Sequence, residues 1–255
     1  MAGFAGARQY LSFFGRGCYN KAKTEKAGMP MQAKTRAARL WWAAVVLLAA
    51  LLAWRTAPAT ALRYQYEFYN SKPVASGDYR LQSIRVPGGF QVQRVTAQQA
   101  CSLQNGVLVL AYPTCPYCRN LMPELAAAAR AAGTKLYYCE LDQYRDVYAY
   151  NKATGTPAQT RPAGEGYAEL LAWLDDYTYD YVVKAPGGNE LPVGEKRIGA
   201  PTLVRVQDNQ PVSVWKLTSV QNVDYPKNKY ERWDAETQES VYASLLQYLN
   251  EENER

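Results

Sequence analysis

Apolar residues along the chain fall into three regimes. From Leu40 to Trp54 the run LWWAAVVLLAALLAW carries no charge and is apolar on every face. Residues 57–89 show little regular rhythm. There LRYQYEF alternates Leu62, Tyr64, Tyr66 and Phe68, which predicts a strand or extended arm, and NSKP, SGD and PGG are turn signals. We read this stretch as a linker that docks partly on the domain after it.

From about Phe90 the pattern tightens. FQVQRV alternates as a strand, and Thr96 is placed to cap a short helix over AQQACSLQ. GVLVLAY, residues 106–112, is an unbroken apolar run of strand length and reads as a central strand. Residues 115–132 have helical spacing up to Gly133, a residue suited to end a helix. TKLYYCELD predicts the next strand, and YRDVYAYNKATG a short helix closed by Gly155.

Residues 156–195 break the rhythm. TPAQTRPAGEG and APGGNELPVGE read as loops around an amphipathic helix in YAELLAWLDDY. PTLVRV and PVSVWKL flank a tight turn as a hairpin. Asp234 then caps a last helix whose buried face is Val241, Leu245, Leu246 and Leu249. No internal repeat is visible. The order of elements predicts an α/β domain over 90–251, with helices on both faces of its sheet and an insertion at 156–195.

Charge changes the picture at the N-terminus. Residues 1–39 hold eight Lys or Arg and one acid, Glu25, for +7; residues 40–255 hold 21 basic and 22 acidic residues, for −1. The folded part is near neutral, and its composition offers no nucleic-acid footprint. The basic stretch precedes the apolar run, so 1–39 reads as a cytoplasmic tail and 40–56 as a membrane segment that sends the rest outward. Trp41, Trp42 and Trp54 mark the ends of that segment as an aromatic belt does. A second reading starts the protein at Met31 and cleaves it after Ala59-Thr60-Ala61 as a secretory signal. Either way the domain is exported into an oxidising compartment.

The chain has no histidine and five cysteines: Cys18, Cys101, Cys115, Cys118 and Cys139. Without histidine, the usual general base and the commonest nitrogen ligand for metals are missing. Cys115 and Cys118 form a Cys-x-x-Cys pair at the start of a predicted helix. Zinc binding, an inert staple and thiol exchange all fit such a pair. Structural zinc needs four Cys or His ligands, and no second Cys-x-x-Cys is present. The 21 tyrosines fit a peptide-binding groove or, more plainly, the covering of half-buried strands and helix edges.

Four features together resemble the thioredoxin superfamily. The Cys115–Cys118 pair opens a helix after a central apolar strand. Pro123 follows eight residues after Cys115. RIGAPTLVRV is similar to the family's Gly-x-Pro-Thr segment, and a hairpin and terminal helix come after it. The resemblance implies a thioredoxin-like fold, a central mixed sheet with helices on both faces. Here that fold would carry an inserted helical segment and follow one transmembrane helix.

The resemblance implies that Cys115 is the exposed nucleophile and Cys118 the less exposed resolving thiol. It implies that Pro201 is cis and that Pro116, Tyr117, Ala200, Pro201 and Thr202 line the substrate contact, with no cofactor. Arg119 is a candidate source of positive potential. The resemblance also brings Cys101 and Cys139 near each other, either as two buried thiols or as a second disulfide. Exported cysteine-containing proteins and a membrane redox partner are the implied partners. Two positions depart from the family pattern. Val109 stands where many members bury an acid, and the insertion at 156–195 points toward larger periplasmic members.

Overall fold

In the computed structural model of the protein, the described residues are 31–75, 77–221 and 223–251. Most of the basic tail, with Cys18, lies outside them. The chain divides into two compact units, residues 1–48 and 49–255.

Helix α1 runs from Met31 to Phe68. Its apolar residues between Leu40 and Leu52 are exposed. No single helix among the described residues is long and apolar enough to cross a membrane. Ala38–Ala53 and Thr56–Phe68 reach that length and composition only as a bent pair. The end of α1 corrects the expected strand over LRYQYEF. Ala59, Leu62 and Tyr66 are buried, whereas Tyr64 and Phe68 are 70% and 65% exposed. Spacings of three and four put the buried residues on one helical face. Alternation in the sequence had suggested a period of two because Tyr64 and Phe68 are apolar in body yet face solvent.

The segment read as a linker is also more deeply packed than a linker. Leu62, Tyr66, Ile84 and Val86 share one core cluster with Phe90 and Val92. The second compact unit accordingly starts well before Phe90.

A five-stranded mixed sheet forms the centre. Its strands are β1 (Gln91–Arg94), β3 (Lys135–Glu140), β2 (Gly106–Ala111), β8 (Thr202–Gln207) and β9 (Gln210–Lys216), in that spatial order. β1 and β2 both lie parallel to β3, while β8 is antiparallel to β2 and to β9. All six residues of β2 are buried. Val107, Val109 and Ala111 belong to one core cluster, Leu108 and Leu110 to the other. The two-residue period of a strand thus divides one apolar run between two cores.

The first core is closed by the end of α1, by α3 (Pro116–Ala132) and by α5 (Ala235–Asn250). The second is closed by α2 (Ala97–Cys101) and α4 (Tyr167–Leu174). Capping matches the residues that suggested it. Thr96 forms a reciprocal box with Gln99, Asp234 accepts the Thr237 N–H, and Gly133 ends α3 at φ 68°.

The insertion departs most from expectation. YRDVYAYN is not a helix: Val147–Asn151 is strand β4, paired with β5 (Thr156–Arg161), where a loop was expected. Tyr179–Lys184 (β6) pairs with Glu190–Arg197 (β7), so the second expected loop is also largely strand. Only α4 follows the helical reading. The reason is local composition: Val147, Tyr148, Tyr150, Tyr181, Val182 and Val183 are β-branched or aromatic and favour a pleated, half-buried surface. The hairpins join through Tyr148 and Tyr181, whose rings meet edge to face at 5.6 Å. The Tyr148 N–H also donates to the Tyr181 hydroxyl at 3.0 Å.

If the end of α1 is a core element, Leu62→Ala lowers stability by roughly 2–4 kcal/mol, read from the urea midpoint of the full chain. A change within about 0.5 kcal/mol, as at a surface position, contradicts that packing.

Candidate functional site

Strand β2 ends at Ala111, and Tyr112, Pro113 and Thr114 carry the chain to Cys115, the N-cap of α3. The Cys115 N–H donates to the Tyr112 carbonyl at 3.2 Å. The Cys115 Sγ accepts the Cys118 N–H at 3.3 Å. Pro116 occupies the first turn, where a missing N–H costs nothing. The Cys115 carbonyl receives the Arg119 N–H at 2.9 Å. Sulfur therefore sits where the unpaired N–H groups and the helix dipole favour negative charge.

The facing loop comes from between β7 and β8. The Ala200–Pro201 peptide is cis. Cys115 Sγ lies 3.5 Å from the Ala200 carbonyl oxygen and donates to it. Thr202 Oγ1 donates to the Gly199 carbonyl at 3.0 Å. Tyr179 borders the same loop, since a Cβ on Gly199 would stand 3.3 Å from its ring. Tyr117 is 40% exposed at the rim. Of the five expected contact residues, Ala200 meets the sulfur directly; Pro116 and Tyr117 follow Cys115 in α3, and Pro201 and Thr202 follow Ala200 in the chain.

One expectation needs correction. Cys115 is only 4% exposed and Cys118 only 1%. The Ala200 carbonyl is in contact with the first sulfur. The two thiols still differ chemically. Burial alone would push Cys115 up, but hydrogen bonds from the Cys118 side chain and from the Cys118 and Tyr117 N–H groups, together with the Arg145 charge, hold it below the ordinary thiol value. Burial, its hydrogen bond to Cys115 and the charge of that sulfur push Cys118 well above it.

Arg119 does not supply the positive potential. It is completely buried and spends its donors on neutral oxygens. Nε and Nη2 reach the Gln82 carbonyl at 3.1 and 2.6 Å, and Nη1 reaches the Tyr66 and Pro113 carbonyls at 2.8 and 3.0 Å. Nη2 also donates to Asn70 Oδ1 at 2.6 Å. Burial pushes its pKa down to about 10, so it stays a cation at neutral pH. Gln82 adds a second tie, its Nε2 donating to the Pro116 carbonyl at 3.2 Å.

The cation that acts on the sulfurs is Arg145, which the sequence reading missed. It lies just after the turn that follows β3, and Nη2 donates to Tyr112 Oη at 2.5 Å. No local pattern in YRDVYAY signals that reach. Tyr66 and Tyr138, joined hydroxyl to hydroxyl at 3.2 Å, also interact electrostatically with Cys118, and burial raises both phenols well above their usual range. They belong to the core that Val109 and Cys118 share.

Cys101 and Cys139 both face the second core, one half-buried and one buried. They influence each other electrostatically, and burial raises Cys139 to about 12. The four described cysteines are free thiols. Among the described residues, no three His, Cys, Asp or Glu side chains gather as metal ligands. No family model, curated protein or solved structure matches the chain.

In the reduced full chain, the pH profile of Cys115 alkylation has its midpoint below that of a free thiol, near 8.5, because the thiolate is the reacting form. Cys118 stays unmodified across neutral pH, as peptide mass mapping reads directly. A Cys115 midpoint above the free-thiol value contradicts the described balance. Arg119→Met keeps volume but leaves several buried oxygens without donors, and lowers stability by roughly 3 kcal/mol or more. Hydrogen exchange should quicken first around residues 66–70.

Proposed function

We propose that this protein is a thiol–disulfide oxidoreductase of thioredoxin-like fold, working through Cys115-Pro116-Tyr117-Cys118 on other exported proteins. One observation carries the reading. Cys115 Sγ sits at the head of α3 with its pKa lowered, one turn from a buried Cys118 whose pKa is raised, and faces the Ala200–Pro201 peptide. An inert staple has no need of that asymmetry.

The Cys115 thiolate attacks one sulfur of a substrate disulfide. A new S–S bond forms to that sulfur, the old one breaks, and the other substrate sulfur leaves as thiolate. Cys118 gives up its proton and attacks Cys115 Sγ. The Cys115–Cys118 bond forms and the second substrate thiolate leaves. The substrate gains two electrons and the pair loses two. The same steps in reverse oxidise a substrate dithiol, and a membrane redox partner resets the pair. An extended substrate segment would lie along residues 200–202 and pair with their backbone.

Location is part of the proposal. The uncharged run Leu40–Trp54 behind a tail of +7 supports a single inner-membrane anchor with the domain outside the cytoplasm, or a cleaved signal with the same destination. The resemblance adds two settings, general disulfide formation and service to a conjugation or secretion assembly. An anchored thiol reductant for cytochrome maturation is a variant of the same chemistry.

A second reading, a non-catalytic scaffold of an envelope complex, is favoured by the burial of both sulfurs and by the two-hairpin insert. The two part on one experiment. A Cys118→Ala full chain, expressed in cells and quenched with acid and alkylating reagent, accumulates mixed disulfides through Cys115 if the protein is an oxidoreductase. None under oxidising or reducing conditions rejects the redox reading in favour of the scaffold.

A further inference from the structure

We infer that Arg145 is the positioning residue of the Cys115 thiolate, holding the sulfur's end of α3 through the Tyr112 phenol and tying the two-hairpin insert to the chemistry of the pair. The inference rests on the redox reading of that pair and names the residue that tunes it.

The geometry is a short relay. The Arg145 guanidinium carbon stands 4.5 Å from the centre of the Tyr112 ring, while Nη2 donates to the phenol oxygen at 2.5 Å. Tyr112 in turn accepts the Cys115 N–H on its carbonyl at 3.2 Å. Cation, ring, backbone and sulfur thus form one connected unit. A planar guanidinium can lie over the ring and donate to its hydroxyl, which an ammonium cannot do at once.

The charge is incompletely balanced. Arg145 Nε is 3.5 Å from Asp142 Oδ1 and has no acceptor within hydrogen-bonding geometry. The same Asp142 oxygen serves Arg161 at 3.2 Å. One carboxylate, 39% exposed, is therefore shared by two guanidiniums, whereas the Arg145 side chain is only 12% exposed. Solvent screens the acid more than the base, leaving positive potential on the thiol side.

The charged and titratable neighbours are few. Cys118, Tyr112, Arg145 and, from α1, Tyr66 act on or respond to Cys115. Arg145 is met by Tyr112, Asp142, Asp146 and Tyr167 besides the two sulfurs. Among these neighbours Arg145 is the cation, since Arg119 is turned to the carbonyls described above. The direction follows: Arg145 favours the thiolate of Cys115 and holds the phenol of Tyr112 as a hydrogen-bond acceptor.

Arg145 is followed directly by Asp146 and β4. Its carbonyl accepts Arg161 Nη2 from β5 at 3.3 Å, and Arg161 shares Asp142 with it, which ties the insert to the thiol pair.

The test is the pH dependence of iodoacetamide reaction at Cys115, read by peptide mass mapping on reduced full chain in detergent. Arg145→Gln displaces the profile to higher pH and slows the reaction at pH 7 by about threefold to tenfold. Arg145→Lys keeps the charge but loses the stacked, hydrogen-bonded geometry, and displaces the profile less than Arg145→Gln does. Tyr112→Phe removes the phenol acceptor and gives an intermediate displacement. It also carries the test if Arg145→Gln does not fold, which far-ultraviolet circular dichroism reports.

Superimposable wild-type and Arg145→Gln profiles overturn the inference. A displacement in Arg145→Lys equal to that in Arg145→Gln overturns it too, as does an unmoved Tyr112→Phe profile. Alkylation needs no substrate protein. A moved profile without mixed disulfides in Cys118→Ala therefore rejects the redox reading alone, and mixed disulfides with unmoved profiles reject the Arg145 assignment alone.

Discussion

The site depends on one buried cation that, among the described residues, is held by neutral oxygens and no carboxylate. Arg119 follows Cys118 directly and points into the protein, where neutral oxygens from Tyr66, Gln82, Pro113 and Asn70 surround it. A buried charge costs several kcal/mol unless its hydrogen bonds are fully met. That cost holds four chain segments in register: the end of α1, the turn after it, the approach to Gly88, and the loop before Cys115. The loop before Cys115 cannot move without taking an acceptor from that cation. This explains why residues that look like a linker are packed as core.

Around that anchor, the two sulfurs acquire opposite characters from a separation of one helical turn. Cys115 caps α3 and receives N–H groups. Cys118 lies inside the turn, in one core cluster with Val109, Tyr66 and Tyr138, where a Tyr112 backbone hydrogen bond and Arg145 favour its charge but burial and Cys115 outweigh them. Burial acts on both and would raise both; hydrogen bonding decides the difference. The Ala200 carbonyl is in contact with the sulfur of Cys115, a residue only 4% exposed.

The insert between β3 and β8 is more than decoration of the sheet edge. Tyr148 and Tyr181 join its hairpins, and Arg197 lies 3.9 Å from the centre of the Tyr181 ring. Asp146, at its base, is buried with one oxygen unpaired. The first residues of the insert run directly into Arg145, which faces the Tyr112 phenol.

Much of the architecture was legible along the chain because its signals are local. GVLVLA has strand length and no polar residue. Thr96, Gly133 and Asp234 are capping residues at the ends of helical spacing, and Asp208–Asn209 is a turn between two β-branched runs. Both residues take positive φ there. The Cys-x-x-Cys pair, its proline and GAPT likewise sit in short windows.

Other features depended on contacts far apart in sequence. Whether Leu62 to Phe68 forms strand or helix was decided by which side of Tyr66 met Tyr138. The hairpins at 147–197 turn over short loops, but their joining was decided by Tyr148 meeting Tyr181. The roles of Arg119 and Arg145 were decided by where their long side chains ended. Local propensity and spacing determine elements, caps and the presence of a thiol pair. Only tertiary structure decided which arginine is consumed by carbonyls, which one acts toward the sulfurs, and how nearly Cys115 is closed off. The reason is that electrostatics and burial depend on distance in space, to which sequence separation is no guide.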